Sequence, residues 1–196
     1  MTRADDLRGA GDPTGFRILD EQERYRGHVA RVVTARLQSP DGEEYTRDIV
    51  RHPGAVAVVP VIYDDGGAGP VAVLIRQYRA PLGQSILEVP AGLRDVEGET
   101  PEQTAHRELA EEAGLRAGRM QKLCEFFTSP GISDERVWVF LGLDLEPVSR
   151  GPQSHEEKYL TEQRVALEDV DGMIQSGQIC DAKTIIGLML AKQVLS

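Results

Sequence analysis

The stretch from Gly92 to Leu115, GLRDVEGETPEQTAHRELAEEAGL, constrains the fold of this chain more than any other. Thr100 suits a helix N-cap, Pro101 suits the first helical position, and Gln103 completes a capping box with Thr100. Gly114 supplies a left-handed stop at the far end, so a helix is predicted between the two. Ala105, Leu109 and Ala113 recur at four-residue spacing and give it one narrow apolar stripe for packing. Four glutamates, Glu99, Glu108, Glu111 and Glu112, gather around this one helix. Glu108 and Glu112 share a face, Glu111 lies one turn from Glu108, and Arg107 stands where it can pair with Glu111. Like charges at such spacings cost about 0.2–0.5 kcal/mol per pair unless something neutralises them. A hard divalent cation bound by carboxylate oxygens does so, and Mg²⁺ favours one or two carboxylates with waters and phosphates. A glutamate run also serves as a plain solvated face, so by itself the cluster leaves both readings open.

Composition narrows the function classes. A chain of 196 residues suffices for one well-packed domain, or for one domain with a subdomain attached. The formal net charge of −10 argues against a nucleic-acid surface, because a phosphate backbone needs a basic footprint. Cys124 and Cys180 are too few and too far apart for a disulfide framework or a zinc site, and both are expected to be packed thiols. No apolar run approaches membrane-spanning length and the N-terminus is polar, so a cytoplasmic setting is expected.

Along the chain, residues 1–15 are small, polar and punctuated by Gly and Pro, as in a mobile tail. Residues 16–53 suggest strands: FRILDEQERYRG, HVARVVTARLQ, a turn at SPDGEE, then YTRDIVR. From residue 54 onward come β-rich runs at Gly54–Tyr63, Val71–Tyr78, Leu123–Thr128 and Arg136–Leu145, with helical periodicity at Leu167–Ser176 and Ala182–Leu195. Strands outnumber helices, which predicts an α+β domain.

The segment Gly92–Leu115 resembles the signature of the Nudix hydrolases: a glycine, five residues, a glutamate, seven residues, then Arg-Glu-hydrophobic-x-Glu-Glu-x-Gly-hydrophobic. Glu99, Arg107, Glu108, Leu109, Glu111, Glu112, Gly114 and Leu115 match it, while six residues rather than five separate Gly92 from Glu99. The resemblance implies the Nudix fold, a mixed β-sheet sandwiched between helices, and here an N-terminal antiparallel β-subdomain. The wider layout resembles the bacterial ADP-ribose pyrophosphatase group. Ile75-Arg76-Gln77-Tyr78-Arg79, Leu87-Glu88-Val89-Pro90-Ala91-Gly92, the loop Ser129–Glu135 with Pro130 fifteen residues after Leu115, and Asp181-Ala182-Lys183-Thr184 carry that likeness. In that group the N-terminal strands join a homodimer and help form the nucleotide site.

What the resemblance implies can be placed residue by residue. Glu108 and Glu112 are the principal ligands of Mg²⁺, or of Mn²⁺; Glu111 assists, and the backbone carbonyl of Ala91 adds an oxygen. Arg107 orients a glutamate. Glu99 is either a weaker metal candidate or an anchor at the helix start. The general base comes from the acidic loop Ser154-His155-Glu156-Glu157, as Glu156 or Glu157; Lys158 stands where some relatives carry a further acid. Arg79 is expected to meet a phosphate, which suits the bidentate fork of arginine. Arg51 is a possible second phosphate contact or a surface residue, and Glu88 a contact to ribose or a support for the metal cluster. Tyr78 is either a stacking partner for adenine or a core residue, and Trp138 is structural. None of the four histidines shows ligand spacing. The expected reaction is hydrolysis of ADP-ribose, a nucleotide sugar, to AMP and ribose 5-phosphate. Another substrate such as GDP-mannose or an oxidised nucleotide, or a sensor that binds without cleaving, are the alternatives.

Overall fold

The computed structural model describes residues 12–63, 69–151 and 157–196, and the chain divides into two units. One unit comprises the described residues up to Pro53 together with Thr128–Glu135. It is an antiparallel sheet of β1 (Arg17–Arg26), β2 (Arg31–Gln38) and β3 (Glu44–Arg51) in that order. The β2–β3 turn closes because Gly42 adopts φ +90°, a left-handed conformation that costs glycine little, and donates to the Ser39 carbonyl at 2.9 Å. The segment carrying Pro130 docks on β3 within this unit. Val50 N–H donates to the Ile132 carbonyl at 2.8 Å, and Ser133 Oγ donates to the Val50 carbonyl at 3.1 Å.

The second unit, Gly54–Phe127 with Arg136–Ser196, is built on a mixed sheet. Its strands β4 (Ala55–Tyr63), β5 (Pro70–Arg79), β8 (Leu115–Phe127), β9 (Arg136–Pro147) and β10 (Thr161–Ala166) run in the order β10-β5-β4-β9-β8. The short β6 (Gln84–Glu88) adds to β5 and β7 (Ala91–Leu93) to β4; β4 and β9 are parallel and the other pairs antiparallel. Among the described residues three α-helices accompany them: α1 (Pro101–Ala113), α2 (Val170–Gln175) and α3 (Ala182–Leu195).

Strand β4 explains the layering. It is apolar on both faces, as a strand covered on both sides must be. Val56 and Val58 pack with Ala105, Leu109 and Ala113 of α1, while Ala57, Val59 and Val61 join Leu188 and Ala191 of α3. The sheet is therefore sandwiched between helices. Gly187 lets α3 come close, since a Cβ there would lie 2.8 Å from Val59 Cγ2.

Two features depart from the expectation. The strand after α1 begins at Leu115 rather than near Leu123, because Gly114 turns the chain straight out of the helix. Its first half, LRAGRMQK, reads as non-strand because β8 is an edge strand whose polar side chains face solvent. Strands β6, β7 and β10 were not anticipated, being too short or too polar for a period-two signal. Among the described residues no helix is long and apolar enough to cross a membrane.

Candidate active site

Helix α1 carries the densest cluster of carboxylates, and its ends are fixed as its sequence requires. Thr100 Oγ1 accepts from the Gln103 N–H at 3.2 Å, and Gln103 Oε1 accepts from the Thr100 N–H at 2.8 Å. Gly114 closes the helix at φ +62°. Glu108 and Glu112 are both buried, although each carries a carboxylate. Burial of that kind demands specific partners. Glu112 Oε2 accepts the Ala91 N–H of β7 at 2.7 Å. Glu108 lies against the next residue: a Cβ at Gly92 would sit 2.0 Å from its carboxyl carbon. Glycine at 92 is what allows the helix carboxylate to reach the strand backbone. Ala91, Glu108 and Glu112 are thus brought together.

Arg107 is the counter-charge. Its Nη1 donates to Glu108 Oε1 at 2.6 Å and to Glu111 Oε2 at 3.2 Å, its Nε to Glu99 Oε1 at 3.3 Å, and its Nη2 to the Leu93 carbonyl at 3.3 Å. Thr104 Oγ1 also donates to Glu99, at 3.0 Å. Glu99 therefore stands as the anchor of the loop at the helix start. The six-residue spacer is held by Arg94, whose N–H donates to the Gly54 carbonyl at 3.1 Å and whose guanidinium lies 4.6 Å from the Trp138 ring centroid. Arg136 lies 4.8 Å from the same ring, so Trp138 is a structural platform.

The donor set is oxygen only, which suits a hard cation. Burial, with the neighbouring charge of Glu111 adding to it and Arg107 opposing it, pushes the Glu108 carboxyl up to about 7. A carboxyl raised chiefly by burial is costly to ionise where it stands, and a bound divalent cation offsets that cost. Among the described residues no three acidic, histidine or cysteine side chains form a ready-made metal cage. Two buried carboxylates beside the backbone of β7 fit an ion that completes its shell with water and phosphate.

A second cluster lies on β5, β6 and the start of α3. Arg79 grips Glu88 with two bonds, Nε to Oε1 at 2.6 Å and Nη2 to Oε2 at 2.7 Å. Lys183 donates to Glu88 Oε2 as well and pairs with Asp181 at 3.1 Å. Despite burial, Arg79 and Lys183 hold the Glu88 carboxyl below the usual carboxylate range. The hydrogen bonds that Arg79 donates to Glu88 raise its guanidinium, and the charges of Glu112 and Asp181 act in the same direction. Lys183 escaped assignment in the sequence, yet a signal was there: a lysine in the first turn of a helix opposes the helix dipole and calls for a partner.

The other candidates fall as follows. Tyr78 is exposed rather than a core residue. Arg51 lies in the N-terminal unit, where it pairs with Asp134 at 3.0 Å and with Glu21. Glu156 lies outside the described residues; Glu157 opens a short 3-10 turn, Glu157–Tyr159, and its side chain lies outside the description. Cys124 is half-buried, whereas Cys180 is exposed and not the packed thiol expected. It follows Gln178 and Ile179 in the link before α3, where only Ile179 turns inward.

Residues 51–185 match the NUDIX domain family. The chain is 37% identical over 168 residues to the ADP-ribose pyrophosphatase of Bacillus subtilis (strain 168), covering 86% of this chain and 88% of that protein. It is 36% identical over 179 residues to the ADP-ribose pyrophosphatase of Mycobacterium tuberculosis (strain ATCC 25618 / H37Rv), covering 91% and 84%. A crystal structure of an ADP compounds hydrolase has the same fold, with a TM-score of 0.78 at 24% identity over 92% of this chain and 94% of the other.

Proposed function

The chain belongs to the NUDIX family of hydrolases, and on that premise we propose that it cleaves the diphosphate of ADP-ribose to AMP and ribose 5-phosphate with Mg²⁺, or with Mn²⁺ in its place. One observation carries this reading: the buried carboxylates Glu108 and Glu112 of α1 meet the backbone of β7 at Gly92 and Ala91, an oxygen-rich site suited to a divalent cation on a diphosphate. The two relatives of more than a third identity that bear the name ADP-ribose pyrophosphatase support the choice of substrate.

Each residue has a task in this scheme. Glu108 and Glu112, with the Ala91 carbonyl and Glu111 assisting, hold the cation; when bound it polarises phosphoryl oxygen and acidifies water. Arg107 keeps Glu108 and Glu111 in place from behind. Arg79 meets a phosphate oxygen of the substrate, and Glu88 fixes the plane of its guanidinium. Glu156 or Glu157 takes the proton of the attacking water on a carboxylate oxygen.

We read the protein as a cytoplasmic homodimer. Half-exposed Phe16, Ile18, Leu19 and Tyr25 on and beside β1 give a second copy an apolar surface to cover. The free thiols of Cys124 and Cys180 accord with a reducing compartment.

The test is a substrate panel with Mg²⁺: ADP-ribose beside GDP-mannose, a diadenosine polyphosphate and an oxidised nucleotide. ADP-ribose leading in kcat/KM, with loss of turnover in EDTA, is the expected result. Another substrate in the lead overturns the choice of ADP-ribose, and binding of ADP-ribose without cleavage returns the chain to a sensor.

A further inference from the structure

Glu88 is 1% exposed and its carboxylate lies between two cations. Arg79 contributes Nε and Nη2, and Lys183 shares Oε2 with it. This grip leaves Nη1 of Arg79 with no hydrogen-bond partner among the described residues, on a side chain that is 35% exposed. The direction in which that free edge points is set by the plane of the guanidinium, and the plane is set by Glu88.

Glu88 is in turn held from α3. Asp181 caps this helix, accepting from the Thr184 N–H at 3.0 Å and from Thr184 Oγ1 at 2.6 Å. Thr184 Oγ1 accepts from the Val89 N–H at 3.0 Å, so the first turn of α3 is tied to the residue that follows Glu88. Lys183 stands between the two tied residues and reaches Glu88 from this fixed base. A lysine there works against the helix dipole, which a purely packing role has no reason to do. The arrangement makes sense if the cation is needed at Glu88. Lys183 also pairs with Asp181 at 3.1 Å, so what it adds at Glu88 is a second fixed contact on Oε2, which holds the carboxylate plane against which Arg79 lies.

Resting on the phosphate role of Arg79 given above, we propose that Lys183 is a positioning residue for substrate: through Glu88 it orients the free edge of Arg79 for a phosphate oxygen. It touches neither the substrate nor the cation. Its effect belongs to binding rather than to the chemical step.

The experiment measures KM and kcat for ADP-ribose, with thermal stability alongside, in Lys183→Met, Lys183→Arg, Glu88→Gln, the Glu88→Gln/Lys183→Met double variant and Arg79→Lys. Lys183→Met is expected to raise KM about fivefold or more with kcat within about twofold, and Lys183→Arg to keep KM near the parent value. In the Glu88→Gln background, loss of Lys183 is expected to change KM no further, since its route to Arg79 is already cut. A fall in kcat with KM unchanged, a stability loss with no KM change, or an additive KM rise in the double variant each overturns the proposal. If Lys183→Met does not fold, Lys183→Gln takes its place with the same reading: a raised KM with kcat kept supports the proposal and an unchanged KM overturns it. Arg79→Lys separates the two levels of the argument. Unchanged KM there removes the phosphate role of Arg79 itself, whereas a raised KM there with none in Lys183→Met removes only the role of Lys183.

Discussion

Gly92 and Glu108 share a space that only one of them can fill: the Cβ of any other residue at 92 would come within 2.0 Å of the Glu108 carboxyl carbon. Residue 92 lies in β7 and Glu108 on α1, so this contact sets how closely the carboxylate helix approaches the strand that carries Ala91. Gly92→Ala is therefore expected to displace Glu108 and lower kcat/KM by about tenfold to a hundredfold, with added Mg²⁺ recovering part of it. Full activity at low Mg²⁺ would mean that the helix can back away without consequence.

Glu112→Gln removes a charge and keeps an oxygen that can still accept from the Ala91 N–H. Changes at residues one step removed from a metal cost about tenfold to a hundredfold, so loss of a direct ligand is expected to exceed a hundredfold in kcat. Thermal unfolding should show an intact fold. Unchanged turnover sinks the metal assignment of Glu112.

The two loop glutamates divide differently. Glu156→Gln and Glu157→Gln are expected to give one large and one small loss of kcat, because a single carboxylate removes the proton. Two small losses place the base elsewhere in the chain.

The Glu108 carboxyl is held at about 7 in the folded protein against an ordinary 4.5, chiefly by burial. The folded form thus binds this proton more tightly than the unfolded form does. The stability it contributes is complete below the ordinary value and is lost as pH rises through about 7. In EDTA, wild type should lose stability relative to Glu108→Gln between about pH 5 and about pH 8 in urea unfolding. A constant difference across that window rules this out.

Thr100→Ala breaks the capping box at the start of α1 and is expected to cost about 1 kcal/mol in urea unfolding. Glu99 and Arg107 sit beside that first turn, so a modest fall in activity should accompany it.

The helix with its caps, its apolar stripe and its signature glutamates was legible because each rests on neighbours within one or two turns. Arg107 as the partner of Glu111 followed from spacing; its hold on Glu99 and Glu108 came with the loop path. Short β6 and β7 were hidden because each is defined by its partner strand rather than by its own pattern. The reason for Gly92 was hidden too, since it lies in a residue sixteen places on. Lys183 read as part of a motif with no task, because Glu88 is ninety-five residues away in sequence.

The bonds between β3 and the Ile132–Asp134 segment carry a consequence for synthesis. Val50 and Ser133 are eighty-three residues apart, so the N-terminal sheet leaves the ribosome well before the strip that pairs with Val50. At roughly 5–20 residues per second the wait is about 4–17 s. During that interval β1, exposed along its whole length even in the finished protein, has only its hairpin neighbours for support. The nascent chain therefore passes through a stage in which its apolar strand residues are open to other chains.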